Sequence, residues 1–230
     1  MDQKEWMSLK SGTDVRGVAL EGVAGEPVNL TNEAISGIMK AFCYRLAGAL
    51  GKDKLTVAVG HDSRLSAERI SSCVCDAVTQ SGCDVIFTGL SSTPSMFMLL
   101  QDKNFAADAS VMITASHLPF HKNGLKFFLP SGGLEGKDIA DILTLASEGK
   151  ALSPAKKGKV KRESYLDRYS EGLVKFVREK TGKDKPLAGK KIVVDAGNGA
   201  GGFYVEKVLL PLGADTAGSQ FLDPDGRFPN

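Results

Sequence analysis

The sequence predicts an α/β fold built on a largely parallel sheet, and three observations carry that prediction. Short apolar runs alternate with longer stretches whose apolar residues recur at helical spacing, giving a β-α-β-α-β rhythm. Glycine-rich or polar turns follow the apolar runs, where open α/β sheets place their loops. The apolar share of 42% and charged share of 24% over 230 residues are those of an ordinary globular chain.

Taken in order, the first helix is expected after Thr31, a suitable N-cap, with Ile35, Ile38, Met39, Phe42, Leu46 and Ala49 on its inner stripe. Leu55 to Val59 reads as a strand that breaks at Gly60-His61-Asp62-Ser63-Arg64. Ser66 is placed to cap a second helix with Ile70, Val74, Ala77 and Val78 facing inward, and Gly82 ends it. Asp84 to Phe87 is the next strand. A helix opened by Pro94 runs to about Gln101, and Ala109 to Ile113 is a third strand. A polar loop from Thr114 to Pro119 precedes a strand at Gly124 to Phe128, a turn at Ser131-Gly132-Gly133, and a helix over Lys137 to Ser147.

Residues 1–150 thus form one domain. Gly149 to Arg162 holds six basic residues, no acidic one, and both Pro154 and Gly158, which reads as an exposed linker. A connecting helix carries Tyr165, Leu166, Tyr169, Leu173, Phe176 and Val177 on one stripe, and Lys183 to Gly189 is a loop, so that 151–189 joins two units. Residues 190–230 open a second unit: a strand at Ile192 to Val194, the turn Ala196 to Gly202, and a helix ending near Leu212-Gly213. One strand and one helix cannot bury a core alone, so this unit is expected to be incomplete. No internal repeat is found.

A net charge of +2 gives no general attraction to nucleic acid. The basic run in the linker lacks interleaved aromatic residues until Tyr165, so a solvated linker is the better reading. No apolar run approaches the ~18 residues of a membrane span, and the first ten residues hold no apolar core of a secretory signal. A cytoplasmic protein is expected, with no membrane or nucleic-acid partner. Cys43, Cys73, Cys75 and Cys83 are spaced unlike a zinc knuckle and read as small buried thiols.

The loop after Ile113 carries the most chemistry. Ser116 stands at a strand end, beside His117 and ahead of Pro119. A serine hydroxyl is a weak nucleophile unless a neighbour takes its proton or stabilises attached phosphate. Ten residues on, Lys126 lies on a strand with Leu125 and Phe127 on the opposite face. It can pair with phosphate or act as an acid or base. The plain alternatives are an ST-turn at Thr114-Ala115-Ser116 and a solvated lysine. A hydrolytic triad is poorly supported, because adjacent Ser and His side chains need not meet in space. Gly197, Gly199 and Gly202 match a dinucleotide-loop spacing, for which a tight strand-to-helix turn is the simpler account.

Thr114-Ala115-Ser116-His117-Leu118-Pro119, followed by Lys122-Asn123-Gly124-Leu125-Lys126, resembles the phosphoserine loop of the phosphohexomutases, which reads T-A-S-H-N-P and then N-G-x-K. Gly12-Thr13-Asp14-Val15-Arg16-Gly17 resembles that family's G-T-D-x-R-G segment, and Val59 to Arg64 its V-G-x-D-x-R strand end. Val194 to Gly199 resembles the opening of its second domain, and Asp225-Gly226-Arg227-Phe228-Pro229-Asn230 the segment leading to its metal loop.

The resemblance implies a three-layer α/β/α domain with a mixed sheet, followed by the start of a second similar domain. It implies phosphate moved between C1 and C6 of a hexose phosphate through phosphorylated Ser116 and a hexose 1,6-bisphosphate. Lys126 would be the general acid/base, Arg16 would tune it or steady phosphate, and His117 would support the loop. Mg²⁺ would be held in part by the phosphate on Ser116, and Asp62 and Arg64 would be scaffold beneath the turn. Glucose, mannose and glucosamine phosphates are the candidate substrates, and oligomeric state is left open.

Two departures matter. Leu118 replaces the usual asparagine, removing one amide from the loop. The family's D-G-D-x-D-R metal loop does not occur, and Asp223 and Asp225 are poor substitutes for it. The chain is therefore expected to be an N-terminal part that presents Ser116 without turning over substrate by itself. A non-catalytic binding or assembly module on the same fold is the alternative.

Overall fold

The computed structural model describes residues 1–230. One mixed sheet of eight strands organises the chain: β1 (Lys10–Ser11), β2 (Asp14–Val18), β3 (Thr56–His61), β4 (Asp84–Leu90), β5 (Ala109–Ile113), β6 (Lys122–Leu129), β7 (Gly132–Gly133) and β8 (Val160–Arg162). Their order is β1-β2-β6-β5-β3-β4-β8, with β7 paired to β6. β5, β3, β4 and β8 run parallel, whereas β2, β6 and β5 pair antiparallel. The expected mixed α/β/α domain is therefore present, but its sheet is not largely parallel as the β-α-β rhythm suggests. Four of the seven strand pairings are antiparallel, because β2, β6 and β7 enter by hairpin-like returns without crossover helices.

The helices are α1 (Gln3–Ser8), α2 (Asn32–Leu50), α3 (Ala67–Gln80), α4 (Thr93–Leu99), α5 (Gly136–Ser147) and α6 (Leu166–Thr181). Parallel strands covered on both faces read as continuous apolar runs, and all five residues of β5 are buried. The main core lies between the sheet and α2, α3 and α5, where the Phe42 ring packs 4.8 Å from that of Phe127. A smaller core on the other face joins Met96, Leu99, Phe105 and Met112 to Tyr165 and Tyr169.

The structure corrects several expectations. Ala49 is exposed in the last turn of α2, beyond the inner stripe. Ser66 occupies the N-cap of α3 without capping it, because its Oγ instead accepts from Asn123 Nδ2 at 2.9 Å. The basic run is exposed, but its end pairs as β8 with the sheet edge at β4. Phe176 is 57% exposed with Lys180 over its ring, and Val174 takes the inward place on α6. Cys73 and Cys75 are half-buried, unlike Cys43 and Cys83.

In the second unit, the expected strand at Ile192 to Val194 is only flanked by isolated parallel bridges rather than forming a continuous ladder. Lys191 pairs with Asp215 and Asp195 with Gln220, so four steps on one side face five on the other and the register slips. The expected helix contains a π-helical turn at Val205–Leu209. Its Val208 and Leu212 pack on Val174 of α6, which supplies the apolar partner this unit lacks by itself. No helix is long and apolar enough to cross a membrane.

Candidate functional site

Ser116 lies just past the end of β5 with its backbone at φ +58°, a left-handed conformation that non-glycine residues adopt at a cost. Buried Ala115 anchors the loop, and the Ser116 side chain is exposed. Its amide donates to Thr114 Oγ1 at 3.0 Å, so the ST-turn is real and is part of what holds the serine outward. Thr114 Oγ1 in turn donates to Asp62 Oδ2 at 2.6 Å. His117 Nδ1 lies 3.3 Å from Ser116 Oγ on an exposed ring.

Beneath the loop is Arg64, 2% exposed. Its Nη2 donates to Ser116 O at 2.7 Å, and its Nη1 donates to both Pro119 O and Lys122 O at 2.9 Å. Asp62 steadies the guanidinium through Nε at 3.2 Å. Burial pulls the Arg64 guanidinium below its usual value, though the nearby Asp62 opposes this. Asp62 and Arg64 thus pair beneath the turn.

Lys126 and Arg16 are brought together by an antiparallel pairing that sequence spacing does not reveal. Arg16 of β2 sits opposite Gly124 of β6, and a Cβ on Gly124 would lie 2.2 Å from Val15 O. That close approach requires glycine and lets the two strands carry their charged side chains side by side. Between them is Asp14, 4% exposed, a residue to which the sequence alone assigns no role. Lys126 Nζ donates to its Oδ1 at 2.6 Å and Arg16 Nη2 to its Oδ2 at 2.8 Å. Arg16 Nε is buried without a hydrogen-bond partner. Asp14 and Arg16 share one face of β2, two residues apart, but the strand is too short for its alternation to show in the sequence.

Leu118 closes a turn through its amide to Ala115 O at 3.1 Å, and its side chain lines a cleft of about 390 Å³. Arg64, Ser116, His117, Arg227 and Phe228 line the same cleft, which opens between the serine loop and the second unit. The larger hollow, about 1140 Å³ near Lys52, Ser81 and Lys156, contains none of these residues.

The domain model described as "Phosphoglucomutase/phosphomannomutase, alpha/beta/alpha domain I" matches residues 9–151, more than half of the chain. The chain belongs to this family. A phosphoglucomutase of Neisseria meningitidis serogroup A is 31% identical over 211 residues, covering 92% of this chain and 43% of that protein. A phosphoglucosamine mutase of Xanthobacter autotrophicus is 32% identical over 207 residues, covering 90% and 45%. A crystal structure of a phosphoglucomutase/phosphomannomutase family protein from Burkholderia thailandensis superposes with a TM-score of 0.80 at 26% identity, covering 97% of this chain and 46% of that one. The chain thus spans less than half the length of these family members.

The carboxylates of this phosphohexomutase-family chain do not form a Mg²⁺ cage, because no three His, Cys, Asp or Glu side chains gather to hold a metal. Asp225 is engaged by Arg227, whose Nη2 donates to it at 2.6 Å. Nor does Gly202 need a nucleotide to explain it. A Cβ on Gly202 would lie 2.0 Å from Leu222 O, so close chain packing accounts for that position.

Proposed function

We propose that Ser116 is the phosphate-carrying residue of a hexose-phosphate mutase. The observation that carries this reading is the convergence at one sheet end. An exposed serine is held in a strained turn by Arg64, while Lys126 and Arg16 share one buried carboxylate on the neighbouring strands.

In this reading the phosphoryl group on Ser116 passes to the free hydroxyl of a hexose monophosphate. The P–O bond to Ser116 Oγ breaks as the bond to the sugar oxygen forms, and a hexose 1,6-bisphosphate results. The sugar turns over and returns its other phosphate to Ser116, so phosphate has moved between C1 and C6. As the neutral amine Lys126 accepts the proton of the attacking hydroxyl and, as the ammonium so formed, passes it to the departing Ser116 Oγ. It carries a proton the other way when Ser116 is rephosphorylated, as general acid/base. Asp14 orients its ammonium. Arg16, whose side chain is partly exposed, offers its guanidinium to a phosphate oxygen, and His117 steadies the loop. The phosphate on Ser116 is the one Mg²⁺ donor this chain would supply, and a bound ion there would offset the negative charge of the two phosphates. We read residues 190–230 as the opening of a second similar unit, and a cytoplasmic setting suits a sugar-phosphate substrate.

The test is isomerisation by the natural-length protein of glucose, mannose and glucosamine 1-phosphates, with hexose 1,6-bisphosphate as activator. Conversion of at least one to its 6-phosphate, abolished in Ser116→Ala, supports the reading. Equal activity in Ser116→Ala contradicts it and favours a non-catalytic role for this loop.

A further inference from the structure

We infer that Arg64 is a positioning residue for Ser116 and that the Gly226–Phe228 segment of the second unit sets its pose. The same guanidinium that holds three carbonyls of the serine loop lies 5.0 Å from the ring centroid of Phe228. One buried cation therefore has the serine loop along its edge and an aromatic ring from the second unit on its face. A planar guanidinium can satisfy both at once, since its N–H groups radiate in the plane and its face remains free to stack.

The backbone repeats the connection. Arg64 and Gly226 form a parallel bridge. A Cβ on Gly226 would come within 2.4 Å of both Leu65 N and Ser63 O, so the segment seats against this turn only as glycine. Ser63 Oγ also donates to Asn198 O at 3.1 Å, and Asn198 Nδ2 donates to Asp223 O at 2.9 Å. The turn at 62–64 is thus the meeting point of the serine loop with both loops of the second unit. If Phe228 withdraws, the guanidinium loses its stacking partner and gains water on that face. The forked hydrogen bonds to Ser116 O, Pro119 O and Lys122 O then have a solvated competitor. Motion of the second unit would in this way change the set of the nucleophile without touching it.

The coupling stands on these contacts alone, and its catalytic consequence rests on the phosphoserine reading above. It is tested by amide hydrogen exchange on the chain itself. Arg64 variants risk unfolding the loop outright, so half-buried Phe228 is the position to change. In Phe228→Leu the amides of Ser116, Leu118 and Lys122 are expected to exchange about five- to thirtyfold faster, while those of α5 stay as they were. Phe228→Tyr, which keeps the ring, is expected to restore the original exchange. Unchanged exchange in Phe228→Leu, or an equal rise in α5, would overturn the inference. In the natural-length protein the same variant is expected to slow phosphate transfer to and from Ser116 with KM for the bisphosphate little changed. Because the exchange arm needs no phosphate, a wild-type protein that takes up none contradicts only the phosphoserine reading.

Discussion

Asp14 ties the candidate site together, and its consequences can be measured one residue at a time. Its two oxygens hold Lys126 and Arg16, and it is nearly buried. Asp14→Asn keeps the shape but exchanges two charge-assisted bonds for weaker ones, with an expected loss of about 1–3 kcal/mol in urea unfolding. Lys126→Ala is expected to lower the rate of phosphate transfer by ~10²–10⁴-fold, the usual share of a general acid or base, in single-turnover measurements. Ser116 and Lys126 could be read from the sequence because they belong to one loop and the strand that follows it. Asp14 and Arg16 come from a strand more than a hundred residues earlier, and only the pairing of β2 with β6 places them there. Resemblance supplied Arg16; the partner it needs had to come from the fold.

The elements that position the site were legible where one stripe or one run decided them. α2 begins at Thr31, whose Oγ1 accepts from Ala34 N, and buries Phe42 against Phe127 as the helical period requires. Phe42→Ala is expected to cost about 3–5 kcal/mol, read from the denaturation midpoint. Gly124→Ala should separate β2 from β6 and cost about 1–3 kcal/mol or more, with Lys126 and Arg16 displaced together. β1, β2 and α1 were missed because they are short and their apolar residues are too few to show a period. β8 was hidden in a basic run, since an edge strand can carry lysines that discourage further pairing. Near the second unit's turn, the hydrogen bonds of Arg227 hold the Asp225 carboxyl down to about 2, against an ordinary 3.8. A folded value below the unfolded one means that this contact contributes fully above pH 3.8 and is lost as pH falls through about 2. An NMR titration of Asp225 should show that midpoint, and Arg227→Ala should move it up toward 3.8.

At the scale of the molecule, the sheet divides the work between its halves. Parallel strands β5, β3, β4 and β8 give a covered, apolar scaffold, and antiparallel β2 and β6 lay charged side chains beside the loop that leaves β5. The second unit leans on α6 and closes a cleft over the serine loop through Arg227 and Phe228. Its alternating pattern was visible, but its slipped register and π-helical turn depend on contacts that local periodicity does not encode. On the proposed function, this arrangement loads phosphate on one hydroxyl, that of Ser116. The most direct test is a phosphopeptide map of the natural-length protein after incubation with a hexose 1,6-bisphosphate and Mg²⁺. Phosphate on Ser116, chased onto an added hexose monophosphate, is the predicted result. An unmodified Ser116 with both reagents in excess would contradict it.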